Sequence, residues 1–562
     1  MKTPALYPGK AQYKPGEDVI LLIRGLSKQK SYRLEILYLD TKIAQIEVSP
    51  AAAETKISLG SDYPAEKGFA VFLISLNDDA VLSSTAFDVA ESWKTAPRYG
   101  FLSGFSSDEA CDLADIESLS AYHLNVIQFY DWMYRHEELL PPADEYKDPL
   151  GRPLSRKVVL EKAAACRKHG MAALAYAAVY GASRNFAEEH PEWGLYTVDG
   201  RPASLGGWLS IQDISPGSPW RSHICRQFRK TLKEMPFDGF HLDSYGTPKR
   251  AYSKKIDQAG EKRLSLHRLE YEFPSFVDEV RSALSPVCED PGLIFNCVNN
   301  WPVRQIARSS TDALYIEVWP PHTDYQHLYH IIREARLLSN KPIICAAYLS
   351  PFADIEGGSA TDSAEAENAL ALAYAVINSS GAFHLIFGEK GGVLQDPYYV
   401  NHYLLSDTGY ERFRRYADFI VKYRCLLYGP FVKDLTLPFS GSDGDDFVFS
   451  GAPSSSFPVH GNVWPHIAET DEHIVISFVN FTNLETSLWN TAQKQPEQVS
   501  SLTVRALVPE GVASVHSDSP DGLPSRPQRI AWKTEPSEKG PVTVFSVPNI
   551  DFWRIVYIRK KI

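Results

Sequence analysis

The sequence predicts a multidomain protein built on a central (β/α)8 barrel, with β-rich regions before and after it. Three observations predict this. The chain has 562 residues, more than one hydrophobic core usually organises. From Tyr99 onward, apolar runs alternate eight times with amphipathic segments of helical period, the signature of repeated βα units. Before Tyr99 and after about Tyr428 that period fades, and short β-type runs separated by Gly, Pro, Ser and Asp replace it.

In chain order, residues 19–23, 32–39 and 69–76 read as strands of an N-terminal, immunoglobulin-like β-sandwich spanning 1–96, with the boundary near Trp93 to Pro97. The barrel region, 97–428, holds eight candidate strands at 99–105, 125–133, 171–180, 237–245, 293–299, 313–319, 342–349 and 382–389. Helical segments fall between them at 158–169, stopped by Gly170, and at 220–235, 325–338 and 364–378. A closed barrel needs roughly 250 residues, so the surplus goes into loops, chiefly 134–158 and 181–219 on the catalytic face. Residues 429–562 read as a C-terminal β-sandwich of Greek-key type, with strands at 474–478, 502–508, 542–547 and 553–558 and a flexible loop at 441–458.

Bulk chemistry narrows the function. A formal net charge of −12 opposes polyanionic partners, because nucleic-acid affinity draws on clustered Lys and Arg, so no nucleic acid is expected. Seven cysteines, odd in number and without ligand-like spacing, indicate neither a disulfide framework nor a metal site, and no cofactor is expected. No run of 18 apolar residues could span a bilayer, and the start lacks the pattern of a signal peptide. The expectation is a cytoplasmic protein if Met1 is its natural start, and an extracellular one if a leader has been removed.

The chemistry concentrates at the strand ends. Phe237-Asp238-Gly239-Phe240-His241-Leu242-Asp243-Ser244-Tyr245-Gly246 is an apolar strand that ends in a carboxylate, whose desolvation folding alone does not justify. Ala313-Leu314-Tyr315-Ile316-Glu317-Val318-Trp319 is built the same way. Asp243 and Glu317, two strands apart at the end where barrel active sites gather, form a candidate pair for cutting a glycosidic bond. The structural alternative pairs Asp243 with a buried cation and makes Glu317 a helix cap. Around them, Tyr130, Asp131, Trp132, Tyr180, Tyr245, Asn299, Trp301, Trp319 and Tyr348 end neighbouring strands, and Asp396 follows the eighth. Rings and short polar groups suit sugars, which present apolar faces edged by hydroxyls. Equally, the rings could close the barrel top and Asp396-Pro397 could be a turn. His241 reads as a satisfied core histidine, and Asp238 and Asp312, at strand starts, as turn or cap residues.

Together, residues 237–246, Tyr315-Ile316-Glu317-Val318-Trp319, Tyr130-Asp131-Trp132 and Asp396-Pro397-Tyr398-Tyr399 resemble the glycoside hydrolases of family 66, the endo-dextranases and cycloisomaltooligosaccharide glucanotransferases. The layout of sandwich, barrel and C-terminal β region resembles them as well, over nearly the whole chain. The resemblance implies a retaining attack on α-1,6-linked glucan or isomaltooligosaccharide, with Asp243 as nucleophile and Glu317 as general acid/base. Members that form cyclic products carry a carbohydrate-binding module near the seventh βα unit. Only about thirty residues separate Leu349 from Gly381 here, which favours a dextranase. The alternatives are a glucanotransferase or other transglycosylase with the same two acids, or a barrel that binds glucan without cleaving it.

Overall fold

The computed structural model describes residues 4–27, 31–49, 54–256, 262–358, 362–440 and 444–561. Eight parallel strands form its centre: β1 (Tyr99–Leu102), β2 (Val126–Phe129), β3 (Ala172–Ala178), β4 (Gly239–Asp243), β5 (Gly292–Val298), β6 (Ala313–Glu317), β7 (Ile343–Ala346) and β8 (Ala382–Leu385). They pair in sequence order, and a parallel bridge from Phe101 to Gly388 brings the two edges together into a barrel-like sheet. The strands are buried on both faces, as a parallel sheet covered by helices must be. All but β5 are shorter than their apolar runs, because residues past their ends turn into the loops of the catalytic face.

The expected helices form as α1 (Arg156–Lys168), α2 (Pro219–Glu234), α4 (Tyr325–Leu338) and α5 (Ser363–Ser379). Between them lies α3 (Leu269–Leu284), and α6 (Asp407–Lys422) follows the barrel. Local sequence sets their starts. The Ser155 hydroxyl accepts from the Val158 amide at the head of α1, and Asp324 forms a capping box with His327 at the head of α4. Asp238 and Asp312 are structural, as expected. Each carboxylate accepts a backbone N–H from the neighbouring strand, from Ala173 at 2.9 Å and Leu293 at 2.7 Å.

Close packing at the foot of β4 requires glycine. A Cβ on Gly239 would lie 1.9 Å from the carbonyl oxygen of its register partner Gly292. After β4 the chain makes an antiparallel hairpin, Arg250–Ile256 with Lys262–Arg268, that the apolar pattern of the sequence does not announce.

Before the barrel, a three-stranded and a four-stranded antiparallel sheet enclose one apolar core around Leu21, Leu34, Phe69 and Phe87. After it, a six-stranded and a four-stranded sheet enclose another around Ile476, Val504, Phe545 and Val556. The expected loop at 441–458 is corrected in part: Phe447–Ser450 is a strand paired with Thr503–Leu507, because alternate Phe447 and Phe449 side chains meet that core. Residues 441–443 of that loop lie outside the described residues. Among the described residues, no helix is long and apolar enough to cross a membrane.

Candidate active site

Asp243 is the last residue of β4 and Glu317 the last of β6, so both carboxylates rise at the same end of the sheet. Between them stands β5, whose Asn296 is a lone amide in an apolar strand. Its Nδ2 donates one hydrogen to Asp243 Oδ1 at 2.8 Å and the other to Glu317 Oε2 at 2.9 Å. Tyr176 of β3 donates to the other oxygen of Asp243 at 2.7 Å, and Tyr348, past the end of β7, donates to Glu317 Oε1 at 2.9 Å. The alternative partners are excluded: no Lys or Arg touches Asp243, and Glu317 caps no helix among the described residues.

Burial raises the pKa of Asp243, opposed by the hydrogen bonds from Asn296 and Tyr176. Glu317 is pushed up to about 7, first by desolvation and then by the negative charge of Asp243, against the hydrogen bonds from Asn296, Tyr348 and Trp319. Burial and the charge of Asp243 thus both favour the neutral form of Glu317.

The two acids open into a cavity of about 380 Å³. Tyr176, His241 and Tyr315 form its floor; His241 shares a hydrogen bond of 2.9 Å with the buried Tyr99, and burial pushes His241 down to about 3. His241 is therefore a neutral, satisfied core histidine that also reaches the cavity. Tyr130 stacks on Tyr399 at 4.5 Å, and Trp319 meets Tyr348 edge to face at 6.1 Å, so aromatic rings rise on either side of the acids. The loops after β2 and β3 complete the wall with Leu150, Leu205 and Trp208.

Of the residues expected to bind substrate, Tyr130, Asp131, Tyr245, Trp319 and Tyr348 line this cavity. Asp131 adopts a left-handed turn (φ 47°) that points its carboxyl inward. Burial pushes that carboxyl up to about 7, with Arg152 opposing and Asp148 and Asp243 adding to the rise. The other five do not line it. Trp132 is fully buried, its indole N–H donating to the Tyr176 carbonyl and its ring against Phe237, so the residue next to Asp131 turns into the core. Tyr180 is also buried. Its hydroxyl donates to the Thr247 carbonyl and accepts the Tyr245 amide, so it holds Tyr245 rather than a sugar. Trp301 packs edge-on against Phe273, outside the cavity. Asn299 accepts the Trp319 amide at 2.7 Å and so fixes the loop that carries that ring. Asp396 accepts the Tyr398 amide at 2.7 Å, which is the turn alternative.

Sequence reasoning missed Tyr176, Asn296, Tyr399, His136 and Trp208. The first two were within reach of the rule that singled out Asp243, since each is an isolated polar side chain in a buried apolar strand. His136 and Trp208 lie on long loops and carry no such signal. His136 is buried at the cavity wall with both ring nitrogens unpartnered, beside Trp208 at 6.0 Å.

Comparison with known proteins bears on this geometry. A cycloisomaltooligosaccharide glucanotransferase of Niallia circulans is 22% identical over 99% of this chain and 72% of its own length. A dextranase of Streptococcus salivarius is 22% identical over 94% of this chain and 72% of its own length. The fold matches that of a Paenibacillus cycloisomaltooligosaccharide glucanotransferase in complex with cycloisomaltoheptaose, with a TM-score of 0.86 over 99% of this chain and all of the other, at 20% identity. The model for glycosyl hydrolase family 66 matches residues 8–557, nearly the full length of the chain, and the protein is therefore a glycoside hydrolase of family 66.

Proposed function

We propose that this enzyme cleaves internal α-1,6-glucosidic linkages of dextran to isomaltooligosaccharides with retention of configuration, Asp243 being the nucleophile and Glu317 the general acid/base. The observation that carries this reading is the Asn296 amide shared by both carboxylates. Two oxygens held by one nitrogen at 2.8 and 2.9 Å lie closer than the roughly 6.5–9.5 Å that an inverting enzyme leaves between its carboxyl groups for water. The pair is spaced for direct attack. Asp243, kept ionised by Tyr176 and Asn296, attacks the anomeric carbon while protonated Glu317 gives its proton to the departing glycosidic oxygen. Glu317, now a carboxylate, then takes a proton from the water that releases the sugar.

Relatives bearing the names dextranase and glucanotransferase are each 22% identical to this chain, the glucanotransferase over slightly more of it, so hydrolysis over transfer rests on this chain's own features. The connection from β7 to β8 holds two helices, Ser350–Glu356 and α5, packed on each other, and is too short to carry an inserted module as well. The test is incubation with dextran, starch and isomaltooligosaccharides followed by product separation. Linear isomaltooligosaccharides from dextran alone are expected. Predominantly cyclic products, or release from starch, would overturn the assignment.

A further inference from the structure

A second cavity, about 530 Å³ in volume, lies at the other end of the barrel from the carboxylates. Pro342 and Phe383, at the starts of β7 and β8, form its floor, and the last turn of α4 and the segment 428–434 form its walls. Lys94, Arg333, Arg336, Lys341 and Lys433 line it against a single acid, Asp434. Two of these cations are answered: Lys94 pairs with Asp290 and Asp312, and Arg333 lies 3.4 Å from Asp434. The other three make no ion pair among the described residues. Among the described residues the Arg336 side chain gives hydrogen bonds only to the carbonyls of Ser380 and Val432, and that of Lys341 only to the carbonyl of Ser309. Each therefore keeps free N–H donors.

The Arg336 guanidinium lies flat against Gly381, where a Cβ would sit 2.5 Å from Nη1. Burial lowers the pKa of both Arg336 and Lys341, outweighing the more distant carboxylates. Cationic side chains withdrawn from water without a counter-charge are costly, and an anion would offset that cost. Beside them the cavity is apolar: Phe383 and Tyr428 stack at 4.0 Å, with Pro430 and the exposed Leu337 at the rim.

We propose that this cavity binds a small organic phosphate monoester, its phosphate held by Arg336, Lys341 and Lys433 and its organic part laid against Leu337, Pro430 and Phe383. A phosphate monoester brings between one and two negative charges and three acceptor oxygens, which one guanidinium fork and two ammonium groups match. A simple carboxylate would leave most of that charge unanswered. The volume suits a sugar or nucleoside and exceeds the needs of a bare ion. The site is independent of the hydrolytic assignment, since neither carboxylate borders it.

The test is calorimetric titration of the full chain, at constant ionic strength, with inorganic phosphate, glucose 6-phosphate, adenosine monophosphate and, as carboxylate control, citrate. One monoester should bind with unit stoichiometry at least about tenfold more tightly than inorganic phosphate. A preference for glucose 6-phosphate assigns the apolar wall to a sugar ring, and a preference for adenosine monophosphate assigns it to a base. Lys433→Gln, at an exposed position, should weaken binding about tenfold, the loss of one charge-assisted hydrogen bond, and Arg336→Gln should weaken it further. Binding should persist in Asp243→Asn. No saturable heat with either monoester, binding no tighter than that of phosphate or citrate, or binding unchanged in both Lys433→Gln and Lys341→Met would overturn the proposal.

Discussion

Because the amide of Asn296 donates to both acids, replacing it acts on two titrations, whereas Tyr176 and Tyr348 each act on one. Each of these donors stabilises a charged carboxylate, so its loss raises the pKa of its partner. With Glu317 near 7 and proposed to act in its protonated form, kcat/KM should fall as pH rises through about 7. Asn296→Ala should move both limbs of the bell-shaped profile to higher pH. Tyr176→Phe should raise only the acidic limb and narrow the bell, and Tyr348→Phe should raise only the basic limb and widen it. Coincident shifts in all three variants would detach these residues from their assigned partners. Replacement of the acids should separate their roles. Asp243→Ala should abolish turnover, with azide restoring it to give inverted product. Glu317→Ala should lose about 10²–10⁴-fold on dextran yet spare substrates with activated leaving groups. Equal loss on both substrates would count against Glu317 as the acid.

The loops after β2 and β3 are elements in their own right. The first carries a two-stranded hairpin, Glu145–Lys147 with Pro153–Ser155, whose tip places Leu150 at the cavity. The second folds Gly181–Ser183, Ser204–Leu205 and Leu209–Ile211 into a small sheet whose turn, at Gly206 and Gly207, presents Trp208. That turn needs glycine, since both residues have positive φ, 57° and 73°. Trp208 is 44% exposed at the cavity rim, where a ligand in the cavity would cover its indole. Trp208→Ala should raise KM for isomaltooligosaccharides roughly 3–10-fold, the worth of one ring contact, with little change in kcat. A fall in kcat alone would place Trp208 in maintenance of the loop. The length of these loops between apolar strands was legible in the sequence. Which of their side chains face the acids was not, because irregular backbone has no period from which to read a direction.

Across the whole molecule, the barrel is fastened to the N-terminal sheets by buried charge. Asp88, on a strand before the barrel, receives two parallel hydrogen bonds of 2.9 Å from Arg98 and a third of 2.6 Å from Arg424, beyond α6. All three side chains are buried. A second acid, Asp418 of α6, accepts from Thr85, the Ala86 amide, His123 and Arg414. Asp88→Asn would leave two buried guanidinium groups facing a neutral amide, a loss of about 3–5 kcal/mol, seen as a lower denaturant midpoint. The guanidinium groups hold the folded pKa of Asp88 below its usual value, despite burial. Its stabilisation is therefore complete above the unfolded pKa of about 3.9 and is lost as pH falls through the lower folded value. Wild type should lose stability in that acid window more steeply than Asp88→Asn. Parallel acid profiles would show that Asp88 carries no such linkage.

The sequence by itself determined the βα alternation, the flanking β regions and the two acids at the ends of β4 and β6. Those features are written in periodicity and in the cost of placing charge at the end of an apolar strand, both local properties of the chain. The same local rule applies to Asn296 and Tyr176, although only register shows what they touch: β5 stands between β4 and β6, and that order alone sets Asn296 between the two acids. Tertiary structure also divided the aromatic residues. Asp131 and Trp132 are neighbours in sequence, yet a left-handed turn sends one to the cavity and the other to the core. Trp301 and Tyr180 went to packing and positioning for the same reason, since the direction of a side chain past the end of a strand is fixed by contacts distant in the sequence. Likewise the basic cavity joins Lys341, Arg336 and Lys433 from three separate segments, and only the closed fold brings their charges together.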